Sequence, residues 1–482
     1  MTHRALLTVL LLGGYCGGCL ASEGLSSAWK PAESPLATLW SENVSVDSVL
    51  PEYPRPQMVR PDWQNLNGLW QFQAAEQGDP VPTGSKLKDE ILVPFCWESS
   101  LSGLRKLLPS RRAWYRRTFS VPSKWQGKRT LLHFGAVDWE AHVYVNDTCV
   151  GIHKGGYDPF SFDITAYLRK AADQELIIYV YDPGNSATIA RGKQSNIKFD
   201  EPAGYSYCPC SGIWQTVWLE TVPQTYIQDM HIVPDIDRKQ VTVALDLAGS
   251  TSRVIAEAVA SDGKKVVGRP NGNPRSSLTI KIPEPRLWSP DSPFLYDLEV
   301  SLKRNGDAID TVRSYFGMRK ISLGKRDGVV KILLNNEFLF QMGPLDQGYW
   351  PDGIYTAPSD EALRWDIEQM KAFGYNMVRK HVKIEPARWY YWADKLGLIV
   401  WQDMPHGRGN RTEQDKTRFE FELQRMVKTH WNHPSIIQWI VFNEHWGLYD
   451  PERLTDAVMR LDPHRLVTCN SGIDAGDPDL DF

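Results

Sequence analysis

The sequence predicts a multidomain chain in which two β-sandwiches precede a parallel (β/α)8 barrel. Short strands broken by turns fill residues 57–223 and again 224–318, whereas strands alternate with helices from residue 319 onward. Evenly spaced short strands are typical of β-sandwiches, and alternation of strand and helix indicates a parallel sheet with right-handed crossovers. A chain of 482 residues is long enough for about three such domains.

The composition is that of an ordinary globular protein. Hydrophobic residues make up 42% of the chain, and 54 Lys and Arg against 58 Asp and Glu leave a net charge of -4. This balance argues against a nucleic-acid partner, which would call for a basic excess, and the apolar content argues against disorder. The 19 Trp and 19 Tyr residues fit either sugar-binding clefts or the cores of all-β domains, and composition alone favours the cores.

The first 22 residues are interpreted as a secretory signal peptide. Arg4 precedes a short apolar run at 5–14, and small residues follow up to Ser22. The run is shorter than the span of about 20 apolar residues that a bilayer requires. We therefore expect a secreted protein, extracellular or periplasmic, without a membrane span.

The cysteines do not predict a disulfide framework. Five of the seven lie beyond the signal peptide, an odd number at sparse spacing. Cys208-Pro-Cys210 is compatible with a metal or redox pair, but it lacks a second pair or a nearby His. A structural role is the preferred interpretation.

Residues 23–56, rich in Pro, Ser and Glu, are interpreted as a linker or arm. Both sandwiches follow from runs of alternating apolar and polar residues, and the second, of about 90 residues, suits an immunoglobulin-like domain. The predicted strands lie at 68–72, 113–119, 130–134, 140–145, 176–181 and 215–219 in the first domain, and at 240–246 and 296–302 in the second.

The last domain, 319–482, alternates buried strands with amphipathic helices. Its predicted strands are 338–342, 376–379, 398–401, 436–442 and 465–469, and its predicted helices are 359–370, 386–396, 419–430 and 451–461. A complete barrel needs eight strands and about 250 residues. We therefore expect a barrel that stops after about five strands. A smaller open α/β sheet is the alternative, but no Gly-rich phosphate loop follows its first strand.

Polar side chains follow the predicted barrel strands. Active-site groups of parallel barrels gather at the carboxyl ends of the strands, so these residues are expected to share one pocket. Trp401, Trp439 and Trp446 would form its aromatic walls. The candidates are Asp346, Arg379, His381, Asp403, His406, Asn443, Glu444, Trp446 and Asn470.

Asn443 and Glu444 are the most informative pair among these candidates. The strand at 436–442 is apolar enough to be buried on both faces. A carboxyl group directly after it, shielded by Trp446, should have a raised pKa because burial disfavours the charged form. Such a group suits a general acid that protonates a leaving oxygen, while Asn443 holds a sugar hydroxyl. An Asn-Glu pair alone is a weak motif.

Two long segments supply the missing context. Residues 431–444, ending in Asn443-Glu444, closely resemble the acid/base signature of glycoside hydrolase family 2, which includes β-galactosidases, β-glucuronidases and β-mannosidases. Residues 376–403 resemble the family's other signature, with Lys380-His381-Val382-Lys383 where Ser-His-Tyr-Pro is usual. Shorter similarities occur at 63–70, 155–162, 211–214 and 315–317, so the resemblance runs from about residue 57 to the end.

The resemblance implies a jelly-roll sandwich of the sugar-binding type and a retaining β-glycosidase of carbohydrate metabolism. Its substrates would be terminal β-galactosides or β-glucuronides. Glu444 would be the acid/base and Asn443 the partner of the sugar 2-hydroxyl, with Asp403 a hydroxyl ligand. Further substrate-binding residues would be Arg379, His381, His406 and Trp446. No organic cofactor is implied; some members use Mg²⁺ or Na⁺, and no metal ligand is assigned here.

The same resemblance places the nucleophile on a later barrel strand. The residues after Glu444 offer no candidate, since the four aspartates Asp474, Asp477, Asp479 and Asp481 lie in a polar loop. We therefore expect the nucleophile to be absent from this sequence. The alternative is a non-catalytic carbohydrate-binding protein or an inactive fragment. A homo-oligomer of the complete protein is left open.

Specificity is also left open by the sequence. Several family members carry an Asp a few residues before the Ser-Gly-Ile stretch, whereas residues 205–210 here have no carboxylate. The sequence therefore offers no counterpart of the carboxylate expected to contact a galactoside. Lys383, Arg408 and Arg411 add positive charge that suits either an acidic sugar or a solvated loop, and the solvated loop is preferred.

Overall fold

The computed structural model describes residues 29–472, except 171, 187, 200–203, 408, 410 and 445. The predicted signal peptide, Arg408 and the four aspartates Asp474, Asp477, Asp479 and Asp481 lie outside the described residues. None of the described helices has both the length and the apolarity that crossing a bilayer requires.

The first sandwich packs two antiparallel sheets over an aromatic core. Its strands are β1 (Trp63–Asn65), β2 (Gly68–Ala74), β3 (Asp89–Val93), β4 (Arg112–Phe119), β5 (Arg129–Phe134), β6 (Val137–Asp138), β7 (Glu140–Val145), β8 (Thr148–Lys154), β9 (Phe160–Asp163), β10 (Gln174–Tyr181), β11 (Gly212–Ile213) and β12 (Val217–Val222). The sheet orders are β1-β12-β5-β9 and β3-β2-β4-β10-β7-β8, with β11 paired to β6. Burial alternates along β2, so Trp70 and Phe72 enter the core.

The second sandwich is antiparallel as well. Its strands are β13 (Tyr226–Asp235), β14 (Gln240–Ala248), β15 (Val254–Asp262), β16 (Lys265–Gly268), β17 (Asn271–Gly272), β18 (Leu278–Lys281), β19 (Tyr296–Arg304) and β20 (Asp307–Phe316). One sheet has the order β13-β14-β18, and the other has β16-β15-β19-β20 with β17 on β15. The strands predicted at 240–246 and 296–302 correspond to β14 and β19.

The predicted buried strand at 338–342 is wrong. A small antiparallel sheet precedes the barrel instead, formed by β21 (Ile321–Arg326), β22 (Val329–Leu334) and β23 (Glu337–Phe338). Phe340 is 69% exposed because this segment runs along the edge of the barrel sheet, where Asn376 holds its backbone.

The described part of the last domain holds five parallel strands in sequence order. They are β24 (Leu345–Asp346), β25 (Met377–Lys380), β26 (Ile399–Asp403), β27 (Ile436–Asn443) and β28 (Leu466–Ser471). The helices are α1 (Asp360–Ala372), α2 (Ala387–Leu396), α3 (Glu413–His430) and α4 (Pro451–Leu461). The predicted barrel fold with two preceding sandwiches is confirmed. Helix α3 begins six residues before the predicted start, because Thr412 and Asp415 form a capping box.

Side chains of the parallel strands alternate between the helices and the barrel interior. Val378, Val400 and Trp439 pack against the helices, whereas Met377 and Ile399 pack in a separate cluster on the opposite face with the half-buried Trp401. Trp439 is therefore not a pocket wall, as its indole Nε1 donates to Asp462 Oδ2 at 2.9 Å on the helix side.

Asp394, at the end of α2, joins the second sandwich to the barrel. Its carboxylate accepts from Tyr315 Oη at 2.8 Å and from Ser435 N at 2.9 Å, and it lies 2.6 Å from His433 Nδ1. Trp288 Nε1 donates to the Asp394 carbonyl at 2.7 Å. A fully buried carboxylate with this many partners should be costly to remove.

We expect Asp394→Ala to lower the free energy of unfolding by about 3–5 kcal/mol, because it leaves the partners of a buried carboxylate unpaired. Urea unfolding followed by tryptophan fluorescence measures the change. The matched control is Asp456→Ala, which removes an exposed carboxylate on α4 and should change stability by less than about 0.5 kcal/mol. Equal effects of the two variants would contradict this role.

Candidate functional site

Four of the predicted residues meet at the carboxyl ends of β25, β26 and β27. Arg379 binds Asp403 with two hydrogen bonds, Nε to Oδ1 at 3.0 Å and Nη2 to Oδ2 at 2.7 Å. The same Nη2 donates to Asn443 Oδ1 at 2.8 Å. His381 Nε2 lies 3.0 Å from that oxygen. Side chains at the carboxyl ends of three adjacent strands thus form one connected polar cluster.

Three contacts to Asn443 Oδ1 orient its amide, because Ser471 Oγ also donates to this oxygen, at 3.4 Å. Because the oxygen faces Arg379 and His381, the amide nitrogen faces the other way. Asn443 is buried, and its Nδ2 has no hydrogen-bond partner among the described residues. The cluster therefore presents a fixed, unused NH2 donor group beside Glu444.

His381 is held neutral in a single tautomer. Gln347 Nε2 donates to Nδ1 at 3.1 Å, so the ring proton sits on Nε2 and is donated to Asn443. Burial, with help from the charges of Arg379 and Lys193, lowers the pKa of His381 to about 4. Gln347 was missed by the sequence analysis, although its place just after β24 is a strand-end position.

Asp403 is almost fully buried beneath this cluster. Burial raises the pKa of its carboxyl to about 6, against the hydrogen bonds and charge of Arg379, which lower it. Above that pH the group is a carboxylate engaged on both oxygens. Its function here is to fix the Arg379 guanidinium, which in turn orients Asn443.

Glu444 differs from the expectation, because its side chain is exposed and not shielded by Trp446. The residue follows β27 in the left-handed region, with φ +56°, and its N–H donates to the Ser471 carbonyl at 2.7 Å. Trp446 instead packs on His406, with ring centroids 5.0 Å apart. Gly472 leaves room beside Glu444, since a Cβ there would lie 3.2 Å from Glu444 Cγ.

A loop of the first sandwich packs against this end of the barrel. Gly192 N donates to the His406 carbonyl at 3.0 Å, and a Cβ on Gly192 would lie 2.3 Å from the Val382 carbonyl oxygen, so only glycine permits this approach. Lys193 Nζ lies 4.4 Å from the centroid of Trp446. Lys193 is not among the residues predicted from the sequence, because no local pattern signals it.

His406 is enclosed where the two domains meet. Burial lowers the pKa of its imidazole to about 3. Neither ring nitrogen has a partner within the described part of the chain. Asn470, after β28, is likewise buried with an unpartnered side-chain amide. Both side chains keep hydrogen-bonding capacity for a ligand.

Asp346 and Lys383 belong to a buried ion-pair cluster on the other side of β25. Lys380 Nζ contacts Asp346 Oδ2 and lies 2.9 Å from Glu385 Oε1, which is also 2.9 Å from Lys383 Nζ. Lys383 is fully buried, so its expected place in a solvated loop is wrong. Arg411 donates to the Gly447 carbonyl at 3.0 Å and contacts Phe419, so it is also not solvated.

The described residues show no group of three His, Cys, Asp or Glu side chains arranged to hold a metal ion. Cys208 and Cys210 are free thiols, and Cys210 is buried in the hydrophobic core. The assembled site instead offers a carboxyl group, a fixed amide donor and buried imidazoles at one rim. This combination suits a ligand with several hydroxyl groups.

The His381 ring should titrate well below the usual value of about 6.5, near pH 4. The folded protein binds this proton less tightly than the unfolded chain does. His381 therefore contributes stability above pH about 6.5 that is lost as the pH falls toward 4. The Cε1 resonance, assigned by comparison with His381→Gln, reports the titration. A midpoint near 6.5 would contradict the buried neutral tautomer.

Three family models match this chain in order. The sugar binding domain of glycosyl hydrolases family 2 matches residues 63–223. The model named glycosyl hydrolases family 2 matches 225–319, and the TIM barrel domain of that family matches 356–481. Together they cover most of the chain.

Sequence relatives agree with these matches. A β-galactosidase of Thermoanaerobacter pseudethanolicus is 28% identical over 348 residues, which cover 68% of this chain and 44% of that protein. A β-glucuronidase of Paenibacillus borealis is 25% identical over 458 residues, covering 86% of this chain and 74% of that protein. The chain spans about half or less of the length of the first curated relatives it matches.

The fold has a counterpart of known structure. The β-glucuronidase from Ruminococcus gnavus in complex with D-glucuronic acid superposes with a TM-score of 0.71 at 20% identity, covering 86% of this chain and 73% of that one. At this identity the likeness concerns the fold. With two sandwiches and a barrel each matched in order by the same family, the chain belongs to glycosyl hydrolases family 2.

Proposed function

We propose that this barrel end is the acid/base half of a retaining β-glycosidase site that acts on terminal β-galactosides or β-glucuronides. Family membership supports glycoside hydrolysis, and the relatives named β-galactosidase and β-glucuronidase support the two substrate classes. The chain spans only part of those relatives, so the activity is assigned to the protein to which this site belongs.

The orientation of Asn443 is the observation that carries the proposal. Its oxygen is occupied by Arg379 and His381, which leaves Nδ2 as a donor in a fixed direction next to Glu444. A donor that strengthens its hydrogen bond to the sugar 2-hydroxyl in the transition state lowers the barrier to cleavage. An amide free to rotate would lose this preorganisation.

Glu444 is assigned the proton transfer. Its carboxyl group is exposed and directly follows Asn443 in the chain, so we place it next to the glycosidic oxygen of a sugar held by Asn443. A sugar bound there would exclude water, and exclusion of water favours the neutral form of a carboxyl group. Glu444 would then protonate the departing oxygen and later take a proton from the attacking water.

Retention requires a second carboxylate about 5–5.5 Å from the acid/base. Asp403 does not fit that role, because both of its oxygens bind Arg379. We therefore place the nucleophile outside the described residues. Arg379 and Asp403 act as positioning residues for Asn443.

The test supplies the missing nucleophile from solution. Azide would attack the anomeric carbon of an aryl β-glycoside, and the aryl oxygen would leave with a proton from Glu444. We expect the 482-residue chain to release phenol from phenyl β-galactoside or phenyl β-glucuronide only with azide present. Glu444→Gln should lower this rate at least about a hundredfold. The rate with the 2,4-dinitrophenyl glycoside, whose leaving group needs no proton, should change little.

Glu452→Gln, an exposed carboxyl in the first turn of α4, is the matched control and should behave as the unaltered chain. Equal rates of Glu444→Gln and the unaltered chain on the phenyl glycosides would remove Glu444 from the acid role. Failure of azide to promote any release would favour a non-catalytic carbohydrate-binding protein or an inactive fragment.

A further inference from the structure

An aromatic pair formed by two domains stands at the rim of the site. Tyr205 comes from a loop of the first sandwich, and Trp446 follows β27 in the barrel. Their ring centroids are 5.3 Å apart, and their planes are inclined by 55°. Trp446 in turn contacts His406, so the pair continues directly from the candidate site.

The backbone that carries Tyr205 is held in place. Tyr207 N donates to the Lys193 carbonyl at 2.8 Å, and Ser195 N donates to the Tyr207 carbonyl at 3.0 Å. Lys193, only 5% exposed, packs its ammonium group 5.4 Å from the Tyr205 centroid and 4.4 Å from that of Trp446. The pair is thus fixed from below by a buried cation.

Tyr205 nevertheless presents much of its side chain to solvent, with 54% exposure. A large aromatic side chain that is both held and exposed beside the candidate site is typical of a binding surface. The flat, apolar face of a pyranose packs well on such a ring, and its hydroxyl groups remain free to bind polar neighbours.

We propose that Tyr205 and Trp446 form a platform for the sugar units on the leaving-group side of the cleaved bond. The natural substrate would then be an oligosaccharide. The proposal rests on the proposed function for the position of the cleaved sugar at Asn443 and Glu444. It adds a specificity-determining residue, Tyr205, supplied by the sandwich and not by the barrel.

The inclination of the rings favours a saccharide over a flat aglycone. A fused aromatic ring system is planar and cannot lie on two surfaces inclined by 55°. Successive pyranose rings of a β-linked chain are turned relative to one another, so each can pack on its own aromatic face.

The experiment measures binding to the 482-residue chain by titration calorimetry, with two pairs of probes. One pair is β-1,4-galactotetraose and D-galactose, and the other is a β-1,4-linked tetraglucuronate and D-glucuronate. We expect one tetrasaccharide to bind at least about tenfold tighter than its monosaccharide. Tyr205→Ala should lower the affinity for that tetrasaccharide by about three- to tenfold and leave the affinity for the monosaccharide unchanged.

Tyr205→Phe keeps the ring and should restore the binding of the tetrasaccharide. The matched control is Tyr167→Ala, which removes a 37% exposed tyrosine elsewhere in the same domain and should have no effect. The proposal is overturned if neither tetrasaccharide binds tighter than its monosaccharide, or if Tyr205→Ala leaves the difference intact. If tetrasaccharide binding depends on Tyr205 but azide promotes no cleavage, the proposed platform stands and the proposed glycosidase activity is rejected.

Discussion

The bidentate pair between Arg379 and Asp403 is the interaction on which the site depends. A buried carboxylate is stable only with hydrogen-bonded, oppositely charged partners, and a guanidinium offers two parallel donors in a fixed plane. The pair joins the ends of β25 and β26, and Arg379 Nη2 also donates to Asn443 on β27. One guanidinium therefore sets the relative positions of three strand ends and orients the amide beside Glu444.

The departures from the usual Ser-His-Tyr-Pro segment have a structural explanation. His381 faces the site, whereas Lys380 and Lys383 face the opposite side of β25 and meet Asp346 and Glu385 there. The added positive charge is neutralised within this buried cluster. It therefore supports the backbone around His381 and does not enter the pocket.

The site is formed by residues of the first sandwich and of the barrel, so its geometry depends on how these domains pack. Gly192 permits the sandwich loop to approach the Val382 carbonyl, and the loop then brings Lys193 and Tyr205 to Trp446. Asp394 holds the second sandwich to the barrel through Tyr315. A variant that loosens these contacts would alter the rim while leaving the barrel residues in place.

The sequence by itself determined the order of the domains, the parallel strands and the cluster of Arg379, His381, Asp403 and Asn443, because strand ends of a parallel sheet converge regardless of detail. It failed where a position depends on contacts distant in the chain. The apolar run at 338–342 proved to be an exposed edge, Glu444 proved exposed, and Lys193 arrived from another domain. Periodicity reports local burial on one element, whereas the neighbours that cover a side chain are chosen by packing between elements, which only the tertiary structure decides.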